Sequence, residues 1–160
     1  MTVWNFGTGF NNADGIAVGS RALVRDCLSL ANGESGISGG DAVQVQACGA
    51  FLNGFTEGDD TAGIRVGDRC LLTQNDASFN AGTGIIAGAH CTVTQNFATD
   101  SQSGISVRGP NGLVSQNVAT DNLDEGIAVL CPATVTNNTA TGNSDDYALS
   151  GTGCFDKGNH

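Results

Sequence analysis

GIIAGAHCTVTQNFATDSQS, residues 84–103, decides the fold, because its landmarks recur at a fixed step in both directions. From Asn96, the asparagines Asn75, Asn117, Asn138 and Asn159 lie at multiples of 21 residues. A second column runs through Asn11, Asn32 and Asn53, resumes at Asn80, and continues as Ser101, Asn122 and Asn143. Val24, Val45, Leu72, Val93, Val114 and Val135 form a third, and Ser29, Ala50, Ala77, Ala98, Ala119 and Ala140 a fourth. The second, third and fourth columns each step by 27 instead of 21 once, between Asn53 and Asn80 in the second. A repeat this short and regular specifies a solenoid.

Within a repeat the apolar residues alternate, as in Thr92-Val93-Thr94 and Ile105-Ser106-Val107. That is the period of short strands with one buried face. Gly, Asn, Asp and Ser fill the intervals, where the chain turns. The expected fold is all-β, a single-stranded right-handed parallel β-helix of about six to seven coils of 21 residues. Coils stacked about 4.8 Å apart place identical residues above one another. Inward asparagines then bond the backbone of their own and neighbouring turns. A leucine-rich repeat has a similar period, and Cys91-x-Val93-x-x-Asn96-x-Ala98 fits its spacing, but the other half of each repeat has little to form a helix.

These units, Gly84-Ile85 through Asn96 among them, resemble the right-handed parallel β-helix repeats of the pectate-lyase-like superfamily over nearly the whole chain. The resemblance implies an extracellular or cell-envelope protein associated with polysaccharide. It does not select an activity, since that superfamily spans lyases, hydrolases, epimerases, tailspikes and adhesins. Gly58-Asp59-Asp60 matches one polygalacturonase motif and Asn12-Ala13-Asp14 resembles another. The Gly-His-Gly and Arg-Ile-Lys motifs are missing: His90 stands in Ala89-His90-Cys91, and Gly109-Pro110 follows Arg108. The Asp-Pro-His motif of mannuronan epimerases is missing too, so no lyase, hydrolase or epimerase site is complete.

The six extra residues place a loop insertion at 54–62, the one break in the regular rod. Loops leaving a rigid scaffold carry function disproportionately. Glu57, Asp59, Asp60 and Arg65 are therefore the candidate substrate-binding residues, with Asp41 and Asp68 at the far end of the strand of Arg65. Asp59 and Asp60 offer oxygen ligands of the kind Ca²⁺ takes, although no cofactor is required by this reading. The arginine suits a uronate.

The chain has a formal charge of −10, from six basic and sixteen acidic residues, which argues against nucleic acid as a partner. No stretch has the length of a membrane-spanning helix. Asp14, Glu34, Glu57, Asp59, Asp60, Asp100, Asp121, Asp124, Glu125, Asp145 and Asp146 all precede the Gly-Ile position and form one acidic edge. The basic residues Arg21, Arg25, Arg65, Arg69 and Arg108 are expected elsewhere on the coil. Cys27 and Cys48 occupy the first asparagine column, while Cys70, Cys91 and Cys154 share another. Inward cysteines act as small buried hydrophobes, and the pair placed to bridge is Cys131 with Cys154.

The whole of 1–160 reads as one domain. Val3 falls one period before Val24, so the chain begins within a coil, as an excerpt of a longer protein would; the alternative is a minimal cap made by Trp4, Phe6 and Phe10. Residues 144–160 depart from the repeat and are expected to form a C-terminal cap. The leading function is binding, rather than processing, of a polysaccharide or glycan surface. A structural or adhesive rod, as a homo-oligomer, is the first alternative. Ice binding is the second, through an outward column of Thr73, Thr94, Ser115 and Thr136 joined by Thr92 and Thr134.

Overall fold

The computed structural model describes residues 4–55 and 60–160; the side chains of residues 4–11, including the Trp4, Phe6 and Phe10 of the cap alternative, lie outside the described ones. The fold is a parallel β-helix: among the described residues every strand pair is parallel, and the strands of successive coils stack into three walls, two of them continuous over seven coils. Sheet B stacks Ile16–Val18, Ile37–Gly39, Ala62–Val66, Thr83–Ala87, Ser103–Val107, Glu125–Leu130 and Asp145–Ser150. Sheet C stacks Leu23–Arg25, Gln44–Gln46, Leu71–Thr73, Thr92–Thr94, Leu113–Ser115, Thr134–Thr136 and Phe155–Lys157. Residues 145–157 thus continue both stacks by one more coil.

The third wall, sheet A, is divided. Trp4–Asn11, Leu28–Asn32 and Gly49–Phe51 form one half, and Phe97–Thr99, Val118–Thr120 and Thr139–Thr141 the other. Between them Asp76 makes only isolated bridges to Gly49 and Phe97. There the Ser78 hydroxyl donates to the Asp76 carboxylate at 2.5 Å, a local bond that competes with a regular strand.

The core is a set of vertical columns. Ile37, Ile64, Ile85, Ile105 and Ile127 line sheet B, Val45, Leu72, Val93, Val114 and Val135 line sheet C, and Ala50, Ala77, Ala98, Ala119 and Ala140 line sheet A, all buried. No coil can bury its own apolar face, so this core exists only through stacking.

Corners carry the polar half of the interior. The Asn96 side-chain carbonyl accepts from the Asn75 backbone N–H at 3.0 Å and from its Nδ2 at 2.9 Å. Asn96 Nδ2 donates in turn to Leu72 O at 3.1 Å and to Asn117 Oδ1 at 3.0 Å. Asn117, Asn138 and Asn159 repeat the arrangement, and the second column does so from Asn32 to Asn143. Ahead of the first stack stand left-handed residues, Gln74, Gln95, Gln116 and Asn137, with φ of 58°, 58°, 57° and 55°. The corner turns there so that the next side chain points inward, despite a penalty of about 1–2 kcal/mol for a non-glycine residue. Gly36 shows what the second stack demands: a Cβ on it would lie 2.6 Å from Asn53 Nδ2 and 2.7 Å from Gly63 O. Only glycine lets that strand pass so close to the asparagine below.

Candidate functional site

Sheet B's outward side chains form the column Ala17, Ser38, Arg65, Ile86, Ser106, Ala128 and Ala148, in register from coil to coil. Arg65 points outward from Ala62–Val66 and is half-buried. Asp60 is exposed and forms an ion pair with Arg108. Arg108 sits two coils further on, so the bridge spans the coil of Ile86. Ile86, although outward-facing, is only 5% exposed. Arg108 therefore does reach the acidic edge, contrary to its expected place elsewhere on the coil. Sequence reasoning missed this pairing because 48 residues separate the partners. Glu57 and Asp59 lie outside the described residues.

Asp41 and Asp68 do not join Asp60. Asp41 Oδ1 accepts from the Asp68 N–H at 3.0 Å, and Asp68 Oδ1 from the Ala89 N–H at 2.8 Å. Both carboxylates are engaged by backbone at the opposite corner of sheet B.

Below Ile86 the small outward residues leave an open groove of about 400 Å³ across three coils. Its floor is Ser106, Ala128 and Ala148, with Arg108 and Glu125 at the margins and Leu130 and Ser150 at one end. Glu125 accepts from the Ser103 hydroxyl at 3.1 Å. Arg108 Nε also reaches the Ser106 hydroxyl at 3.4 Å. The groove thus offers a cation, a carboxylate and hydroxyls over an apolar floor two to three strands wide. The sequence signal for it is the small residue, Ser106 and then Ala128, that follows the Gly-Ile pairs of two successive coils.

Cys131 and Cys154 form a disulfide. Cys27, Cys48, Cys70 and Cys91 are free and buried. Their sulfurs serve the corners: Cys70 Sγ accepts from Val43 N–H at 3.3 Å and Cys91 Sγ from Cys70 N–H at 3.2 Å. Burial pushes the Cys48 thiol up to about 11. Hydrogen bonding between the stacked thiols moves Cys70 down and Cys91 up.

The threonine column on sheet C is outward and half-buried, with Thr94 Oγ1 3.5 Å from Thr73 Oγ1. Beside it Leu71 and Leu113 protrude, 37% and 39% exposed. The face is ridged and not the flat hydroxyl array that ice binding needs.

A parallel β-helix with a shallow groove on one wall is the class defined by this geometry. The chain belongs to the family described as periplasmic copper-binding protein (NosD), whose pattern matches residues 38–156. A solved structure described as the complex of XylC with xylose shares the fold, with a TM-score of 0.67 and 14% identity. The similarity covers 82% of this chain and 22% of that one, so this chain spans about a fifth of its length. No curated protein matches the chain. Among the described residues no helix is long and apolar enough to cross a membrane.

The family's name raises copper, and the donors described here do not fit it. Among the described residues no three His, Cys, Asp or Glu side chains come together. The free thiols are taken up by the corners. His90 is exposed at a left-handed corner, and His160 lies on the last coil.

Proposed function

We propose that this chain is a periplasmic β-helix that binds a glycan chain in the groove of sheet B. The observation that carries this reading is the groove itself: an apolar floor of Ala128 and Ala148 with Arg108, Glu125, Ser106 and Ser150 around it. Such a mixture of apolar surface and a few placed polar groups suits a sugar, whose ring presents C–H faces and hydroxyl edges. The family's description supports the periplasm, and the Cys131–Cys154 disulfide agrees with an oxidising compartment. The xylose named for the similar structure supports a carbohydrate ligand.

Binding, not turnover, is the proposed activity, since Asp60 is paired with Arg108 and Glu125 is held by Ser103. Arg65 lies on the same face two coils above Ser106 and extends the polar margin. Because Asp60 already has a cationic partner, the proposed binding needs no calcium. A glycan array probed with the purified chain, with calcium and with chelator, tests the reading. Ala128→Tyr fills the groove from outside the core and is expected to abolish retention of any bound glycan at unchanged thermal stability. A wild-type chain that retains no glycan sinks the proposal; binding that vanishes with chelator returns the site to Asp59 and Asp60.

A further inference from the structure

Sheet C presents a second outward column with a different character: Leu23, Gln44, Leu71, Thr92, Leu113, Thr134 and Phe155, in register over seven coils. The large apolar residues fall on alternate coils. Leu23, Leu71, Leu113 and Phe155 are 59%, 37%, 39% and 58% exposed, and shorter or polar side chains stand between them. Two coil spacings separate successive ridges by roughly 10 Å. The outward positions of this sheet carry no acid; Asp156 lies in the inward register and is exposed on the last strand. Of the two outward bases Arg25, on the first strand, is paired with Asp26, while Lys157 stands on the last. In a chain of formal charge −10, this is the wall on which another acidic molecule can settle without charge repulsion.

We infer that sheet C is a self-association surface and that its partner is a second copy of this chain. The alternation is self-complementary when one copy is reversed. A two-fold axis parallel to the strands, passing between the third and fourth coils, sets Leu71 against Thr92 of the second copy. The same axis sets Leu113 against Gln44 and Leu23 against Thr134. Each contact occurs twice, as a two-fold interface requires. Arg25 then faces the coil of Thr136, and Lys157 lies beyond the overlap, so the bases stay apart. The strands are three residues long, so the face is about 30 Å by 10 Å. That is below the roughly 800 Å² per partner of a standard stable interface, and the dimer is therefore weak and concentration-dependent.

Sedimentation equilibrium of the full chain, from micromolar to on the order of 1 mM, tests the inference. The expected mass rises from 16.1 kDa towards twice that value. Leu71→Asp with Leu113→Asp is expected to hold the chain at the monomer mass, whereas Leu123→Asp, at an exposed position outside the three sheets, leaves association unchanged. If the double variant does not fold, Thr92→Arg fills a hollow and adds charge at an outward position, with the same expected loss. A wild-type chain that stays monomeric throughout, or a dimer indifferent to these substitutions, overturns the inference.

Discussion

Sheets B and C are built from the same seven coils and bury equivalent columns of Ile and Val, yet their outer faces have little in common. Sheet B's outward column is small below Ile86, with Ser106, Ala128 and Ala148, and it is flanked by Arg108 and Glu125. Sheet C's alternates leucine with threonine and carries no acid. Stacking dictates what points inward, because every buried column must repeat at the coil spacing to close the core. It leaves the outward positions free, so the two walls can carry different surfaces on one frame.

The inner frame is the part whose damage reaches both walls. Asn96→Leu removes the acceptor for the Asn75 N–H and the donor to Leu72 O, both buried. Each unsatisfied group costs about 1–3 kcal/mol, so a loss of about 2–6 kcal/mol is expected in urea unfolding. A variant as stable as the wild type would show that the stacked asparagines do not hold the walls together.

Cys131–Cys154 joins the end of a sheet B strand to the start of a sheet C strand across the last coils. Cys131→Ser is expected to lower stability by about 3 kcal/mol, the chain-entropy value for a loop of this length. Hydrogen exchange should then rise first at residues 145–157. Uniform exchange along the rod would mean that the bridge does not act locally.

Gln95→Gly is the smallest effect. It relieves the left-handed conformation at φ 58°, and the added freedom of the unfolded chain offsets part of the gain. A rise of about 0.5 kcal/mol is expected, read as a small upward shift in melting temperature. A fall would show that the Gln95 side chain contributes to the corner.

The frame was legible in the sequence because it obeys one arithmetic. Asn96 and Val93 predict their equivalents 21 residues away, and the step of 27 locates the insertion between Asn53 and Gly63. The bridge between Cys131 and Cys154 could be anticipated because both fall near the end of the stack. The site was less legible, since outward residues do not repeat. Arg65 was placed correctly on the outer face, but the partner of Asp60 is Arg108, whose reach across the Ile86 coil leaves no periodic trace. Asp41 and Asp68, expected at the far end of the strand of Arg65, stand at that corner, but the sequence does not show that backbone N–H groups engage their carboxylates there. The leucine ridge on sheet C was visible only as interruptions in a threonine column until the register placed all four large residues on alternate coils.

The central claim is that the two outer walls act separately, and a crossed measurement tests it directly. Glycan retention and sedimentation mass are read for Ala128→Tyr and for the Leu71→Asp, Leu113→Asp pair. The account predicts that Ala128→Tyr loses glycan and keeps the dimer, while the leucine pair loses the dimer and keeps glycan. Either substitution abolishing both properties would contradict it, by showing one shared surface where the structure has two.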